Sequence, residues 1–240
     1  MPVLVTANTT QTSRQRVLSA IAHIEPDRVP IDLSGHRSSG ISAIAYARLR
    51  KHLGLEPRLP RVYDPVQQIA IVDEDVLEMF SVDTIELGRA FALEDKYWQE
   101  WVLPDGSPAL MPAWVRLRRE EGRWVVLSPS GRVIAQMPDG VLYFEQTWWP
   151  FFEKDDIDHI EDYLGESMWT GIASPPGPIV AGPDGLDLLR EGARRLRSQT
   201  QRAIIGLFGG NLLEMGQFLY RNDRFFMLLA GEPGQAHKFL

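Results

Sequence analysis

The 240-residue sequence contains no cysteine. It can form no disulfide, which suits a cytoplasmic protein, and it offers neither a thiolate to a metal ion nor a thiol nucleophile. No apolar run approaches the roughly 18 residues that a membrane-spanning helix needs. The amino-terminal residues also lack the basic start and long apolar core of a signal peptide. We therefore expect a cytoplasmic protein that does not interact with a membrane.

Basic residues are outnumbered by acidic ones, and the formal net charge is −7. A nucleic-acid-binding protein usually presents a basic face, so this balance argues against DNA or RNA as a partner. It also disfavours adhesion to an anionic membrane. The hydrophobic content of 44% is that of an ordinary globular protein, and a small molecule is the expected ligand.

A predicted strand at Val29–Leu33 runs directly into a polar loop with the sequence SGHRSSG, and a strong helical pattern follows. Strand, loop and helix in this order form the first unit of an α/β protein, in which ligands lie at the carboxyl ends of the strands. Ser34, His36 and Arg37 therefore form a candidate site for an anion. We predict a catalytic role for His36 and substrate binding by Ser34 and Arg37. The alternative is a loop that these polar side chains cap.

The second core strand is predicted at Asp83–Gly88. Glu86 near its end and Arg89 just beyond it form either a catalytic pair or a structural salt bridge. Asp32, inside the first strand, either faces the same site and binds substrate or pairs with a helix residue such as Arg48.

A third buried strand, Ala203–Phe208, ends in Gly209 and Gly210, and Asn211 then begins a helix. The glycines allow close approach of a ligand to the backbone, and the first turn of the helix offers free amides to an anion. Gly210 and Asn211 are therefore candidate substrate-binding residues. Gln217, on the same helix, faces either the cavity or solvent and is a further candidate.

Caps and apolar spacing predict the helices. Thr12 and Gln15 fit a capping box, and the helix that they begin has one apolar face, formed by Val17, Leu18, Ile21 and Ile24. A further helical piece is predicted from Asp64 to Ile69.

Between residues 97 and 145 the hydrophobic period changes to two, with turns at PDG, EEG, PSG and a second PDG. This alternation is typical of an antiparallel meander, which we interpret as an insertion between core units. Most of its aromatic residues are expected to pack the small sheet on its neighbour. The alternative is that they line a pocket.

The fold class predicted from these elements is α/β, with the three core strands parallel and adjacent in chain order. Three strand–helix units are too few for a closed eight-fold barrel, which typically needs about 250 residues without such an insertion. We therefore expect residues 1–240 to be one domain, the N-terminal part of a (β/α)8 TIM barrel that is incomplete at its C-terminus and carries the antiparallel β-meander at 97–145.

Three stretches, in the same order along the chain, resemble the uroporphyrinogen decarboxylase superfamily: RVPIDLSGHRSSGISAIAYARLRKHLGL, RVYDPVQQIAIVDEDVLEMFSVDTIEL and AIIGLFGGNLLEMGQFLYRNDRFFMLLAGEP. The resemblance implies a (β/α)8 barrel and one of two activities, porphyrinogen decarboxylation or corrinoid-linked methyl transfer. The decarboxylase has an Arg-Gln-Ala-Gly-Arg loop after its first strand, an essential Asp after its second and a Tyr in the helix after its third. This chain has SGHR, Leu87-Gly88-Arg89 and Gln217 at those places.

These departures favour the methyltransferase branch, especially its O-demethylase-like members. That resemblance implies a corrinoid protein as a partner and a zinc ion held by a His-x-Cys pair and a later Cys. This chain has no cysteine and only scattered histidines, so we expect no metal site in it and no turnover by this chain alone. The alternatives are a uroporphyrinogen decarboxylase of porphyrin biosynthesis, and a non-catalytic fragment or ligand-binding paralogue.

Overall fold

A computed structural model describes residues 10–91, 94–154, 156–172, 177–179, 182–207 and 211–240. The fold is mixed α/β, with small sheets. None of the helices within these ranges combines the length and apolar character that crossing a bilayer requires. The helices are α1 (Ser13–Ile21), α2 (Ala43–His52), α3 (Glu74–Met79), α4 (Met168–Gly171), α5 (Gly185–Gln199), α6 (Leu212–Tyr220), α7 (Asn222–Gly231) and α8 (Pro233–Phe239).

Short 3₁₀ segments lie at Arg37–Ser39, Leu87–Ala90, Asp95–Tyr97, Ile157–Glu166 and Gly177–Ile179. The strands are β1 (Val62–Asp64), β2 (Ile69–Ala70), β3 (Thr84–Glu86), β4 (Trp98–Val102), β5 (Pro108–Pro112), β6 (Leu117–Glu120), β7 (Arg123–Leu127), β8 (Val133–Pro138), β9 (Glu145–Gln146) and β10 (Ala203–Ile205).

The parallel pair at the centre of the predicted fold is present. β3 and β10 are adjacent and parallel, with Thr84 opposite Ala203 and Glu86 opposite Ile205. Both strands are shorter than predicted, and Phe208, the predicted end of the third strand, lies outside the described residues. Within the described ranges the sheets are small and none closes into a barrel.

The predicted first strand, Val29–Leu33, is wrong, because this segment has no regular secondary structure. It still runs beside the start of β3, where the Asp83 N–H donates to the Ile31 carbonyl at 2.8 Å. Two features prevent a ladder. Pro30 has no N–H to donate, and the Ile31 N–H donates instead to the Asp83 carboxylate at 2.8 Å. Instead of a strand ladder, a hydrogen bond to the Asp83 side chain holds this segment beside β3.

The predicted meander is confirmed as antiparallel. β4 pairs with β5, and β6, β7, β8 and β9 form a four-stranded sheet in that order. Trp101 is 4% exposed and its indole N–H donates to the Gln68 side chain at 2.8 Å, so this tryptophan packs the meander onto the preceding hairpin.

The predicted helix from Asp64 to Ile69 is wrong, since the segment is a hairpin between β1 and β2. The Asp64 carboxylate accepts hydrogen bonds from the N–H and the side chain of Gln67, which is a local arrangement that competes with helix formation. Gln68 then adopts a φ of 56°, which ends any right-handed helical path.

The capping box of Thr12 and Gln15 is confirmed at the start of α1. The apolar face of this helix, however, is not buried, because Leu18 and Ile21 are 57% and 71% exposed. The buried residue of α1 is Arg16, which is 5% exposed. α1 is thus attached to the protein through a charged side chain.

Arg16 belongs to a buried ionic network around Asp83. Its guanidinium contacts Asp27 and Asp83, each at 2.6 Å, and Arg28 contacts the other Asp83 oxygen at 2.7 Å. Burial acts to raise the pKa of Asp83, but the hydrogen bonds from Ile31, Arg28 and Arg16 outweigh it, and its pKa lies below the ordinary value. Asp83 therefore joins α1, the irregular segment and β3.

We predict that Asp83→Asn lowers the free energy of unfolding by about 3 kcal/mol. This is the lower end of the range for removing one partner from a buried ion pair, because Asp27 still accompanies Arg16. Urea unfolding followed by circular dichroism measures the change. The matched control is Asp139→Asn, which removes an exposed pair with Arg119 and should change the value by less than about 1 kcal/mol. Equal effects of the two variants would contradict the role of the buried network.

Candidate functional site

The candidate site lies at the carboxyl end of β3. Glu86 is the last residue of that strand and is 4% exposed. The chain turns immediately after it into the 3₁₀ segment Leu87–Ala90, and the backbone N–H of Gly88 in this turn acts to lower the pKa of the Glu86 carboxyl. The end of a short strand and the tight turn that follows it therefore hold a buried carboxyl group in place.

Glu86 lines a small cavity. The predicted site residues Ser34 and Arg89 line it too, and its other walls are Tyr63, Ile71, Val72 and Gly88. About 10 Å³ is open to the centre of a water molecule, roughly what one water needs. Only a small polar group, or one atom of a larger ligand, fits beside the carboxyl without rearrangement.

Two hydroxyl groups in this cavity have no hydrogen-bond partner among the described residues, Ser34 Oγ and Tyr63 Oη. Ser34 is 6% exposed and Tyr63 is 5% exposed. A buried hydroxyl that makes no hydrogen bond is unfavourable by about 1–3 kcal/mol, so two of them around one cavity indicate a place for a polar ligand atom. Ser34 also has a φ of 63°, which a non-glycine residue adopts uncommonly.

Burial raises the pKa of Glu86 to about 7, while the Gly88 N–H and the charges of Arg37 and Arg89 act to lower it. Near neutral pH the carboxyl is therefore partly protonated and can either donate or accept a proton. Burial, and then the charge of Glu86, raises the pKa of Tyr63, so that its hydroxyl stays neutral. The cavity combines one titrating carboxyl with two neutral hydroxyls.

The predicted substrate-binding residue Arg37 lies beside this group. Its guanidinium is 3.4 Å from the carboxylate of Asp64, which is 1% exposed. The positive charge of Arg37 is therefore partly neutralised by Asp64 and is less available to a ligand. Arg89 lines the cavity with Glu86 but forms no ion pair with it; its guanidinium donates to the Val72 carbonyl. The alternative, a structural salt bridge between Glu86 and Arg89, is therefore not formed among the described residues.

Asp32 holds the loop against β3. Its carboxylate accepts hydrogen bonds from Thr84 Oγ1 at 2.5 Å and from the Gly35 N–H at 2.9 Å. A Cβ at Gly35 would lie 2.6 Å from Thr84 Oγ1, so only glycine permits this approach. The alternative pairing of Asp32 with Arg48 is wrong, because Arg48 contacts Asp105 at the surface instead.

His36 does not line the cavity. Its Nδ1 accepts a hydrogen bond from the Ser38 N–H at 3.0 Å, and this closes the cap of the 3₁₀ turn Arg37–Ser39. The described contacts of His36 are therefore those of the capped loop, the alternative considered for this segment. Its catalytic role stays a prediction that these contacts do not favour.

The three remaining candidates lie elsewhere. Gln217 lines a separate open cleft of about 710 Å³, with Trp149 and Trp169 among its walls. Asn211 is exposed at the start of α6, and its side chain makes no capping hydrogen bond. Gly210 lies outside the described residues.

Tyr63 is the site residue that the sequence did not reveal. It lies in β1, within the segment RVYDPV, where the alternation covers too few residues to predict a strand. Pro65, which follows Asp64, is a signal against the predicted helix, because the residue before a proline is disfavoured in helical geometry.

The fit of a metal ion can be judged from the donor groups. In the part of the chain that the structure describes, no three His, Asp or Glu side chains converge in an arrangement that could hold one. The thiolates that a thiol-activating zinc requires are missing from the sequence. The zinc that the family resemblance implies therefore does not fit the residues described here, and no step is assigned to it.

We predict that Glu86→Gln stabilises the protein at pH 8 but not at pH 4. A carboxyl whose pKa is raised from 4.5 to about 7 on folding keeps its proton in the folded state while the unfolded state loses it. The stability of the wild type therefore falls as the pH rises between these two values, by roughly 3 kcal/mol in total. Urea unfolding of both proteins at the two pH values measures the difference. A constant difference would contradict the raised pKa.

Comparison with protein-family models, with curated proteins and with solved structures gives no match to this chain. The resemblance to the uroporphyrinogen decarboxylase superfamily therefore stays a prediction from the quoted sequence stretches. The functional interpretation below depends on the geometry around Glu86.

Proposed function

We propose that this chain provides the substrate-side, proton-donating site of an enzyme of the uroporphyrinogen decarboxylase superfamily, in its corrinoid-linked methyltransferase branch, and that it forms part of a (β/α) barrel. The observation that carries the proposal is the buried Glu86 carboxyl at the end of β3, with a pKa of about 7 and two unpaired hydroxyls beside it. The parallel pair of β3 and β10 supports the barrel part of the proposal.

The chemistry of ether demethylation requires such a group. When a methyl group leaves an ether, the carbon–oxygen bond breaks, its electron pair stays on the oxygen, and that oxygen must gain a proton. Protonated Glu86 donates this proton, and the hydroxyls of Ser34 and Tyr63 orient the oxygen beside it. A corrinoid carried by a partner protein would supply the methyl acceptor. General acid catalysis of this kind contributes about 10²–10⁴-fold to a rate.

The size of the cavity favours this reaction over porphyrinogen decarboxylation. A porphyrinogen is a large substrate with many carboxylates and needs several cationic groups around it. Here about 10 Å³ is free beside Glu86, and Arg37 is already in contact with Asp64. One oxygen atom of a substrate suits this place better than a tetrapyrrole does.

We predict that this chain, when it is part of a complete barrel and is mixed with chemically reduced cobalamin as methyl acceptor and 3-methoxyphenol as substrate, releases the demethylated phenol, and that Glu86→Gln slows the release about 100-fold or more. Because the acid must be protonated, the wild-type rate should fall as the pH rises through about 7. Chromatographic measurement of the phenol gives the rate. Methanol, tested in parallel as a smaller substrate, reports whether an aromatic ring is needed.

Glu100→Gln is the matched control, since Glu100 is exposed on β4 and should leave the rate unchanged. A Glu86→Gln protein that is as active as the wild type would contradict the role of Glu86. Decarboxylation of uroporphyrinogen, without phenol release from the ether, would favour the decarboxylase alternative. Absence of both reactions would favour a ligand-binding paralogue.

A further inference from the structure

An open groove of about 450 Å³ adjoins the Glu86 cavity. The groove and the cavity share Ile71 and Arg89 as wall residues, so Arg89 lies between the small cavity and the larger groove. The other groove residues combine charge with apolar surface and include Arg58, Leu59, Arg61, Asp73 and Leu110.

Arg89 forms no ion pair with another described residue, although the negative charges of Glu74 and Asp73 act on it. Its guanidinium donates to the Val72 carbonyl, and no carboxylate lies within ion-pair distance of it. Arg89 is half-buried, and three other arginines with little exposure, Arg16, Arg50 and Arg202, all contact carboxylates. Burial lowers the pKa of Arg89, whereas hydrogen bonds to carboxylates raise the pKa values of Arg16 and Arg50. A half-buried cation that lacks an ion-pair partner gains from a ligand that supplies a negative charge at contact distance.

The neighbouring arginines of the groove already have partners. Arg58 lies 3.7 Å from the Asp73 carboxylate, and Arg61 lies 2.9 Å from that of Asp95. Among the described groove residues Arg89 is therefore the arginine without an ion-pair partner, and a ligand with one negative charge would supply that partner. A carboxylate carries one negative charge, whereas a phosphate monoester carries about two at neutral pH.

We propose that this groove binds a monocarboxylic acid with an apolar body, its carboxylate on Arg89 and its body between Leu59 and Leu110. Arg89 forms two parallel hydrogen bonds to the carboxylate, a geometry that guanidinium groups favour. This names the substrate class of the same site and, where it places an oxygen of the acid beside Glu86, it rests on the proposed function. The affinity for the carboxylate does not depend on turnover.

The test is calorimetric titration of the full chain with 3-methoxybenzoate and with its neutral analogue, 3-methoxybenzamide. The wild type should bind the acid about tenfold or more tightly than the amide, since hydrogen bonds to charged groups contribute strongly. Arg89→Met should abolish this preference. The matched control Arg48→Met, which removes an exposed arginine paired with Asp105, should retain it. Circular dichroism checks that each variant is folded.

If Arg89→Met does not fold, Arg89→Lys provides the test. Lysine keeps the positive charge but cannot form the two parallel hydrogen bonds, so this variant should reduce the preference for the acid without abolishing it. Glu86→Gln should retain the preference for the acid. If this variant proves fully active, the proposed function fails, but the binding preference still tests the role of Arg89. Equal binding of acid and amide, or a preference that survives in Arg89→Met, would overturn the proposal. Tighter binding of phenyl phosphate than of 3-methoxybenzoate would overturn the carboxylate class.

Discussion

The arrangement of this protein around its candidate site depends on the carboxylate of Asp83. This side chain, fully buried at the entry to β3, contacts Arg16 of α1 and Arg28 and accepts the Ile31 N–H. It thereby places the irregular segment beside β3, and the loop that follows brings Ser34 to the cavity at the other end of the strand. An ionic network here does what a strand ladder would do in a regular barrel.

Glu86 follows from the same geometry, because it ends the strand that Asp83 precedes. The backbone N–H of Gly88 and the charges of Arg37 and Arg89 all act to lower the pKa of its carboxyl. Burial outweighs these stabilising effects, so the group titrates near neutrality. Asp83, although equally buried, keeps a lowered pKa because two arginines and a backbone amide contact it. The contrast shows how the number of hydrogen-bonding and charged partners sets the direction in which the pKa of a buried carboxyl moves.

The sequence predicted those features that rest on local rules. The capping box of Thr12 and the antiparallel meander follow from spacing and turn residues. The parallel pairing of β3 with β10 follows from the order of strand, loop and helix along the chain, and all three predictions are confirmed. The strand at Val29–Leu33 and the helix from Asp64 failed because side chains, those of Asp83 and Asp64, take backbone N–H groups that a regular element would use.

The site was predictable in part for the same reason. Glu86 ends β3, Arg89 lies just beyond it, Ser34 follows the irregular segment that runs beside β3, and the three residues line one cavity. Tyr63 reaches it from a hairpin that the sequence does not signal. His36 lies in the correct loop, but the direction of its side chain is set by a hydrogen bond from Ser38, which position along the chain does not reveal.

The most direct test of this account is the protonation state of Glu86. Carbon-13 NMR of the side-chain carboxyl groups, with glutamate labelled and Glu86→Gln used to identify the resonance, gives its pKa in the folded protein. The account predicts a midpoint near 7. A midpoint near 4.5, the ordinary value for a glutamate, would show a solvated carboxylate and contradict the proposal that Glu86 is the proton donor of this site.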